Sequence, residues 1–256
     1  MIATGQAARL VERNYMTYRH HWWIVVTGAV EPLFFLLGAR LGIGSLVGGI
    51  PVGDGLVVSY ATFVAPALLA TSAANGVVYD TTFNFFDKLK YQKTYDAMLA
   101  TPMSVSAISL GELTWAMLRS AVHSAFFVAT MLALGLLESW WSLLALPAVL
   151  VVAWGFAGLG LAATTYVKSW QDFDWHQLAW LPMFLLSASF FPLSVYPEAV
   201  RWIVQVTPMY QGVALLRQLT LGTVDASAAL HVAYLLAMGW WGLRHAGRRM
   251  DSLLLR

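Results

Sequence analysis

The 256-residue chain has no cysteine, and only 11% of its residues are charged. The first absence excludes disulfides and thiolate metal sites. The second is more telling. A soluble domain carries about 25% Asp, Glu, Lys and Arg, whereas 59% of this chain is hydrophobic. It reads as polytopic and membrane-embedded, so its length says nothing about domain number. No glycine is followed by lysine, so the G-x-x-x-x-G-K-[ST] phosphate loop is missing and no nucleotide is cradled that way. A net charge of +2 offers no footprint for nucleic acid. The six histidines (His20, His21, His123, His176, His231, His245) show no H-E-x-x-H spacing, and neighbours such as His20 and His21 point to different helix faces. No metal or haem site is expected. Ser45 in GIGSLVGG with His123 or His231 makes a serine-protease pair only by force; a flexible, tightly packing span end explains that stretch better. No catalytic residue is expected.

What is present is long apolar runs. A helix needs roughly 20 mostly apolar residues to cross the hydrocarbon core. Trp22–Leu41, Leu56–Val78, Ile108–Leu137, Ser142–Tyr166, Leu178–Tyr196 and Ala226–Leu243 meet that measure. The prediction is an all-α polytopic membrane protein of about six spans. The fifth is interrupted by Pro182, Pro192 and Pro197. The first is long and lacks a small-residue cleavage site, so it reads as a retained span and not a signal peptide.

Basic residues orient the spans. Arg9, Arg13, Arg19, Lys88, Lys90, Lys93, Lys168, Arg244, Arg248, Arg249 and Arg256 all fall on one side. The other side holds Arg40, Arg201 and Arg217, and Arg119 lies within the third span. Both termini are therefore expected in the cytoplasm. Trp22–Trp23, Trp140–Trp141, Trp170, Trp175, Trp202 and Trp240–Trp241 sit at span ends, as an interfacial belt requires. Trp115, Trp154 and Trp180 lie deeper. Before the first span, Val11, Tyr15, Tyr18 and Trp22 recur at helical spacing among basic residues, which predicts an interfacial amphipathic helix over 6–21.

Ionisable groups inside spans are few. Glu31, followed by Pro32, reads equally as a polar point in a conduit or as a structural hydrogen-bond acceptor at a local bend. Glu112 and Arg119 share one face of the third span, two turns apart. Gly155, Gly158 and Gly160 mark a small-residue packing face, within the chain or between protomers. The largest polar break is Phe83–Ser104, FNFFDKLKYQKTYDAMLATPMS, on the cytoplasmic side. Within it Tyr95, Met98 and Leu99 recur at helical spacing and predict an apolar docking face, flanked by Lys93 and Asp96. Thr101, before Pro102, is a natural helix stop. Further on, Pro197 predicts a helix start, with Val200, Ile203, Val204 and Thr207 on one face and Arg201 and Gln205 turned away.

Three ordered blocks carry a family resemblance. KTYDAMLATPMSVSAISLGELTWAMLR (Lys93–Arg119), EPLFFLLGARLGIG (Glu31–Gly44) and FFPLSVYPEAVRWIVQVTPMYQGVALLRQLTLG (Phe190–Gly222) resemble ABC-2-type exporter permeases. That family includes nodulation lipo-oligosaccharide, daunorubicin-type drug and O-antigen exporters, and the QKTYDA form is closer to the nodulation branch. The resemblance implies a single transmembrane domain over 1–256, not an enzyme by itself, in a bacterial inner membrane. Two permeases, self-paired or with a sister chain, would each rest on one cytoplasmic ATPase subunit. The chain would bind no cofactor; ATP and Mg belong to those ATPases. The coupling segment 80–105 would dock through Lys93, Thr94, Tyr95, Asp96, Met98, Leu99, Thr101 and Pro102. The re-entrant outer segment 190–222, with Phe191, Pro192, Pro208 and Arg217, would join Glu31 and Pro32 in lining or gating the path of an amphiphile. An ATP-independent carrier or intramembrane enzyme is the rival reading.

Overall fold

The structure, a computed structural model, describes residues 2–19, 30, 33–52 and 56–254. Ten helices are described: α1 (Ile2–Tyr18), α2 (Leu33–Leu46), α3 (Tyr60–Lys90), α4 (Thr94–Leu99), α5 (Val105–Ala133), α6 (Trp140–Thr164), α7 (Phe173–Leu185), α8 (Glu198–Val206), α9 (Pro208–Leu221) and α10 (Ser227–Leu254). The described strands are an antiparallel pair of two residues each, β1 (Ile50–Pro51) and β2 (Val57–Val58). Glu31, Pro32 and residues 22–29 of the expected first span lie outside the described residues.

At 1.5 Å per residue, α3, α5 and α6 are about 46, 43 and 37 Å long, more than the roughly 30 Å hydrocarbon core requires. Among the described helices these three are both long and apolar enough to cross a membrane. α3 is the centre of the protein. Tyr60 through Ala70 are buried without interruption, as expected of a helix that is apolar all round. Ser59 caps its start, accepting from the Thr62 N–H at 3.1 Å. Ser104 caps α5 in the same way through Ala107, at 3.2 Å. Thr207 caps α9 with Pro208 in its first turn, and Gly222 ends that helix at φ 80°.

The small-residue face is used within the chain. A Cβ on Gly158 would stand 2.3 Å from the Gly239 carbonyl oxygen, and one on Gly242 would stand 2.3 Å from the Gly158 carbonyl carbon. α6 and α10 therefore touch backbone to backbone, which only glycine permits. Trp154 explains its depth by donating to the Leu236 carbonyl across this seam at 3.2 Å. Trp115 stacks at a tilt on Tyr18, and Trp180 packs edge-on to Phe156.

Two expectations need correction. The second span does not stop at Val78. Its helix runs on to Lys90, through a π-helical stretch at Asp80–Asn84 where Thr81 and Thr82 bond back to the Val77 and Val78 carbonyls. The fifth span is not one continuous helix. α7 has 13 residues, about 20 Å. It ends before Ala188, whose φ of 55° turns the chain, and Pro192 and Pro197 prevent its resumption.

The termini of these helices gather at two opposite ends. One holds α1, the last turns of α3, α4, the 165–172 loop and the last turns of α10. Gln6 bonds Pro102 and Ser104 there, and Arg249 bonds Thr165. The other end holds the β1–β2 pair, the α5–α6 connection, the 188–197 turn, and the starts of α9's capping loop and α10.

Candidate coupling site and outer cleft

At the first end, α5 presents Glu112 and Arg119 toward α3. Lys88 Nζ lies 2.7 Å from Glu112 Oε2, and Asp80 Oδ1 lies 2.6 Å from Arg119 Nη1. Asn84 also donates to Asp80 at 2.6 Å. α1 completes the group. Asn14 Nδ2 is 3.4 Å from Glu112, and the Arg119 guanidinium stands 5.1 Å from the Tyr18 ring centre. The partnered charges face protein, as groups at span depth must. The π-helical stretch of α3 carries Asp80 itself; such bulges are frequent at functional sites.

α4 is a six-residue helix launched from Lys93, whose φ of 49° is left-handed. Its placement corrects the expected docking face. Tyr95 is fully buried, its ring 4.9 Å from that of Phe85, and Met98 and Leu99 are half-buried against the core. The apolar stripe anchors α4 to the permease body instead of facing outward. Lys93, Asp96, Ala97, Ala100, Thr101 and Pro102 are exposed, and Thr94 is half-buried. The helix ends at Leu99; Thr101 closes it through the Met98 carbonyl. Burial first, then the Glu112 carboxylate through its charge and its hydrogen-bonding influence, pushes the Tyr95 hydroxyl well above its ordinary pKa, although the hydroxyl lies outside strict hydrogen-bond geometry. From Phe85 and Phe86, aromatic rings continue to the α6–α7 loop. Phe86 packs edge-on to Trp170 and Phe173, and Tyr91 stacks on Trp170 at 5.6 Å. Asp172 fixes this loop by accepting from the Lys168 and Ser169 N–H groups, which hold its carboxyl below the usual range.

The N-terminal helix carries two distinct faces. Ala7, Leu10 and Asn14 pack inward, while Tyr15 is exposed and Val11 half-buried on the adjacent stripe. One stripe meets α5 and the next is left for another medium.

The opposite end encloses a cleft of about 1000 Å³ bounded by α9, the start of α10, the 188–194 turn and the end of β1. Pro192 and Arg217 line it, Pro208 lies half-buried nearby in the chain, and Phe191 is exposed. α8 beside it is amphipathic, with Val204 buried and Trp202, Ile203 and Val206 turned out. Ile203 is exposed, and Arg201 folds back to donate to the Tyr196 and Ser194 carbonyls at 2.7 and 2.6 Å. At the same end, Gln211 bonds His231, and Gln218 bonds Ser227 at 2.7 Å.

The family model for ABC-2 type transporters matches residues 5–221, from α1 to the end of α9. The chain belongs to the ABC-2 transporter family. Nodulation protein J of Rhizobium meliloti (strain 1021) is 30% identical over 226 residues, 87% of this chain and 84% of the relative. Nodulation protein J of Rhizobium leguminosarum bv. trifolii is 32% identical over 87% of this chain and 84% of its own length. The counterpart from Rhizobium leguminosarum bv. viciae is 31% identical over 87% and 85%. This ABC-2 chain is therefore an all-α transmembrane permease of the export type. Sequence reasoning placed Glu112 and Arg119 on one face of this ABC-2 permease but missed their partners. Asp80 and Lys88 lie eight positions apart in one continuous helix, near the seven-residue spacing of their partners, and that match was the available signal.

Proposed function

We propose that this permease is the membrane half of an ATP-driven exporter that moves an amphiphile, a lipid-linked saccharide, lipo-oligosaccharide or hydrophobic drug, across the bacterial cytoplasmic membrane. Two permeases, identical or sister chains, pair, and each rests on a soluble ATPase. Both termini and α4 face the cytoplasm, because the basic segments converge at that end. The observation that carries this reading is α4. It is clamped to the body by Tyr95 while Asp96, Ala97, Ala100, Thr101 and Pro102 stand exposed. A clamped helix with a free outer face is suited to receive a push and to pass it on. The push would travel through Tyr95 and Phe85 to the rings around Trp170 and so to α7. Through Lys88–Glu112 and Asp80–Arg119 it would also reach α5 and α1. At the far end α8, Phe191, Pro192, Pro208 and Arg217 would form the exit gate. The 256-residue sequence holds no phosphate loop, which supports an energy source on a partner subunit.

Replacing Ala97 and Ala100 together with glutamate tests the reading. The outcome expected is a normally inserted permease that no longer co-purifies with the ATPase and no longer exports. Undiminished co-purification and export would remove α4 from the docking role. Flux through the isolated chain in liposomes without nucleotide would overturn the ATP-driven mechanism itself.

A further inference from the structure

The outer cleft contains two polar groups whose hydrogen-bonding capacity the fold leaves unfinished. The first is Arg217. Its Nε donates to the Phe63 carbonyl at 3.3 Å, and its Nη2 donates to the Ala188 and Ser189 carbonyls at 2.9 and 3.4 Å. The guanidinium lies 3.9 Å from the centre of the Phe63 ring. These contacts fix its plane and leave Nη1 without a partner among the described residues. They supply no negative charge. The described ion pairs, Lys88–Glu112 and Asp80–Arg119, belong to the opposite end. Asp225 lines the same cleft, but its carboxylate is engaged by the Ser227 N–H at 2.7 Å and by Gln218 Nε2 at 3.5 Å. A guanidinium held by carbonyls alone keeps its charge uncompensated and offers Nη1 to a carboxylate or phosphate.

The second group is Gln218. It sits one residue along α9 and lines the same cleft. Its Nε2 is used by Ser227 and Asp225, while its Oε1 is buried with no donor. A buried acceptor left unmade costs roughly 1–3 kcal/mol, so a ligand that donates to it is favoured. The cleft volume of about 1000 Å³ is at the upper end of the roughly 300–1,000 Å³ of sites that bury a drug-sized molecule.

We propose that this cleft binds an anionic, hydroxyl-bearing head group, with its phosphate or carboxylate on Arg217 and a hydroxyl donating to Gln218. The inference rests on the reading of the chain as a carrier of amphiphiles and specifies the head group that the exit end receives. The same chemistry is offered by an exported amphiphile and by a resident phospholipid such as phosphatidylglycerol.

The test uses the full chain in phosphatidylcholine nanodiscs, without ATPase or nucleotide, so a failed coupling experiment leaves it intact and its own failure leaves coupling intact. Phosphatidylglycerol and soluble glycerol 3-phosphate are titrated separately, and bound ligand is read by native mass spectrometry and by the unfolding temperature. Tight binding of phosphatidylglycerol alone assigns the site to a membrane lipid; binding of glycerol 3-phosphate as well assigns it to the head group whatever its tail. Phosphatidylcholine and glycerol should not bind. Arg217→Lys should weaken binding by tenfold or more, because an ammonium keeps the charge but loses the carbonyl-fixed plane that aims Nη1. Gln218→Leu should weaken glycerol 3-phosphate and leave inorganic phosphate unchanged, and it keeps the proposal testable if Arg217 variants fail to fold. No preference for the anionic probes, or equal binding by folded Arg217→Lys and Gln218→Leu variants, overturns the proposal.

Discussion

Lys88 Nζ stands 2.9 and 2.7 Å from the two carboxylate oxygens of Glu112, so one ammonium bridges both oxygens across the α3–α5 seam. Their side chains are 14% and 6% exposed. Taking one partner away from a buried pair leaves an uncompensated charge, at about 3–5 kcal/mol, while replacing both with apolar residues is often neutral. Lys88→Met and Glu112→Leu should each destabilise the permease strongly, and the double variant should recover most of the loss. Denaturant unfolding in a fixed detergent, followed by tryptophan fluorescence, measures all three. Additive losses would show that the pair is not a closed unit.

The α6–α10 seam makes a sharper steric prediction. Gly158→Ala places a methyl 2.3 Å from the Gly239 carbonyl oxygen, with backbone on both sides and nothing free to rotate away. Gly76→Ala is the control, because a Cβ there meets nothing within 4 Å. Removing a helix-interior glycine gains about 0.5–1 kcal/mol where space allows. Gly158→Ala should therefore lower the yield of monodisperse protein steeply, and Gly76→Ala should hold or raise it. Size-exclusion profiles of the two variants, expressed side by side, decide the matter.

How much of this was legible beforehand follows from which interactions are local. Hydropathy over about 20 residues locates α5 and α6 well, and helical spacing foresees α4, because both patterns are written in neighbouring positions. The glycine face was visible, but not that Gly239 and Gly242 on α10 would meet it. The facing of short helices was not legible. Tyr95, Met98 and Leu99 form an apolar stripe whether they dock a partner or anchor their own chain, and only Phe85, held in place by the rest of α3, decides between the two. The partners of Arg201 were not legible for a similar reason. A polar residue opposite an apolar stripe points to water by default, yet here the Ser194–Tyr196 turn offers two carbonyls within its reach.

That turn supplies the next prediction. Arg201 ties the start of α8 to the chain that precedes it, through two charge-assisted bonds. Hydrogen bonds to charged groups contribute about 1.5–3 kcal/mol each, so their loss should free this turn locally before the spans are affected. Arg201→Gln is expected to speed amide exchange across 194–201 by tenfold or more and leave exchange in α3 unchanged. Equal acceleration in both segments would make Arg201 a global stabiliser.

Tyr95 separates the two roles of α4 most cleanly. Its ring is fully buried against Phe85, so Tyr95→Ala should cost about 3–5 kcal/mol, in the range of large aromatic truncations. Its hydroxyl is a different matter. It is buried outside strict hydrogen-bond geometry but within the influence of Glu112, and a poorly made hydrogen bond in such a place is worth removing. Tyr95→Phe should therefore leave the permease as stable as before or more so, by up to about 1–3 kcal/mol. Ala97→Glu, on the exposed side of the same helix, should change stability by no more than about 0.5 kcal/mol, although it sits where a partner would press. Unfolding midpoints for the three variants give the order expected of a helix anchored by one face and free on the other. A clear loss of stability in Tyr95→Phe would mean that the hydroxyl donates to Glu112, and α4 would then be wired directly into the Lys88–Glu112 pair.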